Sequence, residues 1–281
     1  MSLSTRPRTT SSNCSGSSPS PTWSRWWDDV SLAHPDRTRL TPLRTTERSL
    51  EGTRELMLDA LNRMTIDWSD LPKARQQTKE VLLALAEDKQ ALGELLARAR
   101  EEEDLFDKCE HHKLLDKLVI YDALDRGFRI RVHVSTDDHR DRPHDHRFSF
   151  TSLIMRGGYR HVRHQLVGRA EDIPDDVQND WEARDTDVRV VPLFVTNEVE
   201  GNCYTLHHNE IHTTFTTPNT VSLFLRGPAE KERSIITERE TGKVWWRFGE
   251  DKEKESRRAS KRISKEYFDD LAQRLRALEV L

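Results

Sequence analysis

The sequence predicts a mainly β fold, a sandwich or barrel of short strands with a layer of helices at one end. Three observations lead there. Apolar residues recur at helical spacing up to about residue 126, and from Phe128 onward the period changes to two. Short apolar runs then follow one another, punctuated by Gly157-Gly158 and Gly242, as strands joined by tight turns are. Strands gathered after a run of helices make a layered α-plus-β arrangement rather than alternating βαβ units. At 281 residues the chain is long enough to bury a sizeable core.

Residues 1–22 are rich in Ser, Thr and Pro and nearly free of large apolar side chains, so they read as a disordered arm. Trp23, Trp26 and Trp27 open the helical region 23–126 and are expected to anchor the arm on the main body. Leu50, Met57, Leu58, Leu61 and Met64 mark a helix from Thr46 to about Met64. Ser69 or Asp70 can cap a second, with Pro72 in its first turn, running past Leu82, Leu85, Leu92 and Leu96 to about Arg100. A third is expected from Leu105 to Leu124, stopped by Gly127. The Leu stripes read as faces that pack on a sheet.

The barrel region is 127–249. Strands are expected at Phe128–Val134, Phe148–Met155, Tyr159–Val167, Val188–Val195, Tyr204–His212, Val221–Leu225, Ser234–Glu238 and Val244–Phe248. The acidic stretch from Gly168 to Thr186 reads as a long loop. Residues 250–281 are a charged linker and an amphipathic helix carrying Tyr267, Phe268, Leu271, Leu275 and Leu278.

Composition narrows the function. The 45 basic and 49 acidic residues are mixed along the chain, for a net charge of -4, so no nucleic-acid surface is expected. Cys14, Cys109 and Cys203 are too scattered for a disulfide framework. No run approaches the roughly 18 to 20 apolar residues of a membrane span. The Ser, Thr and Arg bias before Asp28 resembles a transit peptide in composition, but the reading taken is a cytoplasmic protein with no membrane partner.

The chemistry is expected around Arg142 to His164, RPHDHRFSFTSLIMRGGYRHVRH. His144 and His146 are one residue apart, and alternate side chains of an extended segment share a face, so both imidazoles can reach one point. With Gly158, Gly201 and His212, this pattern resembles the cupin superfamily. His144 and His146 match the H-x-H of the first cupin motif and Gly158 its closing Gly, while Thr151 stands where the motif has Glu. Gly201 and His212 match the second motif, in which His207, Asn209 and Thr216 replace Pro, Gly and Asn. The resemblance covers roughly Phe128 to Phe248 and implies a jelly-roll barrel, the double-stranded β-helix, with His144, His146 and His212 as metal ligands.

Imidazole suits Fe, Zn, Ni and Cu. A two-His-one-carboxylate centre is the usual host for Fe(II) enzymes that use 2-oxoglutarate, and Thr151 supplies no carboxylate, so 2-oxoglutarate is not expected. Three neutral imidazoles favour a substrate that coordinates the metal through its own anionic or amine group. The resemblance then points to the three-histidine non-haem iron dioxygenases: Fe(II), with Zn, Mn or Ni as other candidates, acting with O2 on a small polar molecule. It also implies a homodimer by sheet addition.

Other groups can complete the site. A two-residue hairpin at Gly157-Gly158 places His164 across from Thr151 and His161 across from Ile154, so either can be a further ligand. Glu210 shares a face with His212, as a ligand or as the acceptor of an imidazole N–H. Tyr159 can hydrogen-bond a bound substrate or pack at the rim. Asp145 points away by alternation. Arg129, Arg131 and His133 share one side of their strand; lining the barrel they clamp a substrate carboxylate, and facing water they form a solvated edge. The solvated edge is the favoured reading, because Phe128, Ile130, Val132 and Val134 need the core. Arg226 is either a lid or a loop residue.

Overall fold

A computed structural model describes residues 50–175, 187–238, 241–249, 252–253 and 255–281. The arm, its three tryptophans, Cys14 and the centre of the acidic loop lie outside the described residues. Helix α1 (Leu50–Arg63) is followed by α2 (Leu71–Glu87), α3 (Lys89–Glu101) and the single turn α4 (Glu103–Phe106). The second expected helix is broken in two. Asp88 ends α2, and its carboxylate accepts the Ala91 N–H as the N-cap of α3. Asp70 caps α2 in the same way through the Lys73 N–H.

The third expected helix is not formed. Residues 105–124 hold the end of α4, a short strand β1 (Glu110–His111) and an eight-residue strand β2 (Asp116–Ala123). The run Leu118, Val119, Ile120 and Tyr121 is fully apolar and half β-branched, which suits a strand buried on both faces. Gly127 is a turn residue here: its φ is +94°, and a Cβ would lie 2.1 Å from the Ile66 carbonyl oxygen.

Strands β3 (Phe128–Ser135), β4 (His139–Arg140), β5 (Phe150–Arg156), β6 (Gly158–Val167), β7 (Arg189–Val199), β8 (Cys203–Leu206), β9 (Ile211–Thr216) and β10 (Thr220–Arg226) follow. The stretch expected as one strand from Tyr204 to His212 is thus two strands in different sheets. One sheet has the order β1-β2-β3-β10-β5-β8 and the other β4-β9-β6-β7, all antiparallel. From β3 to β10 the chain passes from one sheet to the other at every connection except the β6–β7 hairpin, as a double Greek key, which is the jelly roll. A hairpin of β11 (Arg233–Thr237) and β12 (Val244–Phe248) lies against it, and α5 (Glu255–Ala259) and α6 (Lys265–Ala277) close the chain.

Gly157-Gly158 does not make a hairpin. β5 pairs with β10 and β8, and β6 with β7 and β9, so the two glycines carry the chain from one sheet to the other. Gly157 has φ +69°, and a Cβ on Gly158 would lie 2.4 Å from the Glu198 carbonyl oxygen. His164 consequently faces Pro192 and Ile211, not Thr151.

The largest apolar core lies outside the barrel. Leu82 and Leu85 of α2, Leu92 and Leu95 of α3, and Phe268 and Leu271 of α6 pack with the Ile130, Val132, Leu223 and Leu225 side of the first sheet. Each such side chain contributes roughly 1.5 to 3 kcal/mol when fully buried. Strand alternation therefore sends Arg131 and His133 into the barrel, where they line its cavity. The solvated-edge expectation fails because the helices, not the barrel interior, satisfy the apolar face of β3. Arg129 and Arg131 are 8% and 6% exposed.

Candidate metal centre

The H-x-H pair sits on an extended segment sewn between two strands. The His144 N–H donates to the His212 carbonyl and the His212 N–H to that of His144, at 2.9 and 2.8 Å. On the other side, the Asp145 N–H donates to Ile235 O and the Thr237 N–H to Pro143 O, at 3.1 and 2.9 Å. Asp145 points away from the histidines, as alternation predicts; it accepts the Ile235 N–H at 2.7 Å and Lys231 Nζ at 2.5 Å. This pins β11 to the histidine segment.

His144, His146 and His212 converge, each offering a ring nitrogen within 4.8 Å of the other two. Nε2 of His146 lies 2.8 Å from Nε2 of His212. At that distance one ring can donate an N–H to the other, and two imidazoles at right angles, each about 2.0 to 2.1 Å from one metal, are separated by about this much as well. The His144 Nδ1–H donates to Arg142 O at 2.7 Å, which leaves its Nε2 lone pair for a ligand. Burial, followed by the neighbouring histidines, pushes the pKa values of His146 and His212 well below 6.5. Neutral imidazole is the ligating form, and this donor set fits a divalent transition metal.

His161 stands behind His212. It is fully buried, and its Nε2 lies 2.8 Å from His212 Nδ1, with its own Nδ1 3.6 Å from Glu198 Oε1. If His212 ligates through Nε2, its Nδ1–H donates to His161 Nε2, and the His161 Nδ1–H points at the Glu198 carboxylate. Its geometry is that of a group orienting a ligand. Glu198 on β7 was not anticipated: only the pairing of Tyr159 with Glu198 brings it here, and no spacing in the sequence reveals that register.

The other expected residues are placed as follows. His164 is half-buried on the outward face of β6, with Nε2 2.9 Å from Thr213 Oγ1. Glu210 is exposed in the turn before β9, bound to Arg163 at 2.9 Å and to the His207 N–H at 2.9 Å, and is not brought into the cluster. Thr151 is fully buried on the helix side of β5, 2.6 Å from Thr78 Oγ1 of α2. The neighbouring residue faces the site instead: the Phe150 ring lies 4.9 Å from that of His146.

A cavity of about 470 Å³ opens from the three histidines into the barrel. Tyr159 and Tyr204 line it, hydroxyl to hydroxyl, and the Tyr204 ring lies 4.9 Å from His161. Burial pushes the pKa of Tyr204 up to about 12 and that of Tyr159 well above 10, so both keep their protons at neutral pH. Phe148, Phe150 and Phe224 supply apolar wall, and Arg226, on β10, stacks 4.4 Å over Phe148 and lines the cavity.

No protein-family model and no curated protein matches this chain. Among solved structures, an RmlC-like cupin from Shewanella frigidimarina NCIMB 400 is 11% identical, over 44% of this chain and 86% of its own, with a TM-score of 0.29. The polyketide cyclase RemF from Streptomyces resistomycificus is 13% identical, over 48% of this chain and 82% of its own, at 0.31. Hydroquinone 1,2-dioxygenase PnpCD, in complex with Cd2+ and 4-hydroxybenzonitrile, is 11% identical, over 43% of this chain and 68% of its own, at 0.29. At these scores the likeness carries no weight beside the strand order, which is that of a jelly roll. The barrel is a jelly roll. The three histidines converge inside this barrel, and the helices sit on the sheet away from them.

Proposed function

We propose that this chain is a mononuclear non-haem Fe(II) cupin oxygenase that acts on a small polar, amino-acid-like substrate. One observation carries the reading: three imidazoles converge at the cavity, and no carboxylate among the described residues joins them. A substrate that brings its own anionic or amine ligand fits such a centre, and 2-oxoglutarate is not required. Fe(II) held there supplies electrons for the reduction of O2. His144, His146 and His212 hold the centre, and His161 with Glu198 keeps His212 in the ligating tautomer. Phe148, Phe150 and Phe224 exclude water, and the Tyr159 and Tyr204 hydroxyls offer a proton to a bound substrate.

That tyrosine pair also favours a second reading, an isomerase, epimerase or lyase in which Zn, Mn or Ni serves as Lewis acid. A barrel that only binds a ligand predicts no turnover. Anaerobic purification, metal analysis and an oxygen electrode separate these readings. Iron near one equivalent and substrate-dependent O2 uptake are expected, and turnover without O2 uptake selects the second reading. Stoichiometric iron retained after His144→Ala with His212→Ala would sink the assigned ligand set.

A further inference from the structure

The barrel interior holds more charge than a metal centre needs. Among the described residues that line the cavity are eight Arg and Lys side chains against four carboxylates. Each carboxylate is already engaged. Glu110 is bound by Lys117 at 3.1 Å, and Glu253 by Lys261 at 2.6 Å and Arg257 at 3.0 Å. Asp145 is bound by Lys231, and Asp141 accepts the Thr214 N–H and hydroxyl at 2.6 and 2.8 Å.

Two of the positive charges share one wall with a buried histidine. Lys117 on β2 lies directly across from His133 on β3, and His133 across from Ser222 on β10. One row along, Arg131 lies across from Phe224, Phe224 from Ser152 and Ser152 from Tyr204. Arg131 is 6% exposed, and His133 Nε2 is buried without a hydrogen-bond partner among the described residues. Burial comes first in lowering the pKa values of Lys117 and His133, and Arg131 adds to it in both. Arg131 and Lys117 repel one another here, and Glu110 offsets part of that repulsion at Lys117.

Aromatic rings connect this wall to the histidines. The His133 ring stacks on Phe224 at 4.3 Å, Phe224 lies 4.5 Å from Phe150, and Phe150 lies 4.9 Å from His146. The two ends of the cavity are thus two phenyl rings apart. We propose that Lys117, Arg131 and His133 form an anion subsite that receives a carboxylate or phosphate group of the substrate. The substrate class is then a small anion whose polar head reaches the histidine cluster and whose apolar middle lies on Phe150 and Phe224. Guanidinium and ammonium groups beside a buried imidazole suit either anion. The inference deepens the oxygenase reading but rests on residues that are not among the three candidate metal ligands.

The test uses the full chain after chelator treatment, titrated calorimetrically with phenylacetate and with inorganic phosphate. At least one is expected to bind, and which one distinguishes carboxylate from phosphate. Lys117→Met and Arg131→Gln should each weaken it by about tenfold or more, the loss expected for a hydrogen bond to a charged group. Lys73→Met, on the exposed face of α2, should not. No binding of either anion, or unchanged affinity in both variants, overturns the subsite. Should a substitution abolish the cooperative melt, selenate soaked into crystals of the unmutated chain locates the site. An anomalous peak beside Lys117 and Arg131 supports the subsite, and peaks confined to the outer surface overturn it. Because the protein is metal-free, loss of the metal assignment leaves this result standing, and the reverse also holds.

Discussion

His161 and Thr151 show how far a single side chain's role depends on which way it faces. In the sequence His161 is a candidate ligand, yet its Nε2 meets the far nitrogen of His212. His161→Ala should therefore keep one metal per chain while lowering affinity by about 10- to 100-fold, as loss of an outer hydrogen-bond partner does. Competition with a chelator of known affinity measures it, and unchanged affinity would remove His161 from the site. Thr151 occupies the position of the motif's glutamate but hydrogen-bonds Thr78 and Thr205 at 2.6 and 2.8 Å, toward the helices. Thr151→Glu should add no ligand and should destabilise the fold by about 3 kcal/mol or more, since it places an uncompensated carboxylate in a buried site. Urea titration and metal analysis check the two halves of that prediction. The H-x-H pair was legible because a period of two is local; the facing of Thr151 was not, because it depends on which sheet each neighbouring strand joins.

At the scale of elements, β2 and β3 carry both the core and the proposed anion wall. Their antiparallel pairing is fastened by Arg129, which donates to both oxygens of Asp122 at 2.9 and 2.8 Å, and Lys108 adds a third contact at 2.8 Å. Burial by itself would raise the Asp122 pKa, but the hydrogen bonds from Arg129 and Lys108 outweigh it and hold the value at about 2. A depressed carboxylate stabilises the fold at pH values above its unfolded value near 4, and that contribution is lost as pH falls toward 2. It is worth about 2 kcal/mol for a shift of this size. Asp122→Asn should lose stability at pH 7 and flatten the acid limb between about pH 4 and 2, followed by circular dichroism. The strand β2 itself was missed because its centre, Leu118–Tyr121, is a short apolar run, and such a run has no period to separate helix from strand. The Asp70 cap was legible, because capping is a matter of adjacent residues.

For the molecule as a whole, among the described residues the helices cover the outer face of one sheet, and no strand pairs with the far edge of the other. No helix of the described residues is long and apolar enough to cross a membrane. On the edge strand β7, Leu193, Phe194 and Val195 are 61%, 51% and 51% exposed. An edge with unpaired backbone groups and apolar side chains on both faces is a template for another strand. A second copy pairing there would make a homodimer by sheet addition. Val195→Glu, with its charge on the edge, should shift the chain to monomer in light scattering at micromolar concentration and leave metal content unchanged; a wild-type monomer contradicts the pairing.

The sequence by itself determined the local patterns: the Leu stripes, the alternation from Phe128, the Asp70 cap, the paired histidines and the lack of a carboxylate at position 151. These rest on periods of 3.6 and 2 and on contacts between near neighbours, which the order of residues carries directly. Tertiary structure alone decided that Gly157-Gly158 changes sheets, that His161 and Glu198 stand behind His212, and that Arg131 and His133 face the cavity. Those outcomes follow from pairings between strands far apart in the chain and from the helices claiming the apolar face of β3. A strand's own alternation shows that it has two faces, and only its neighbours decide which of them is inside.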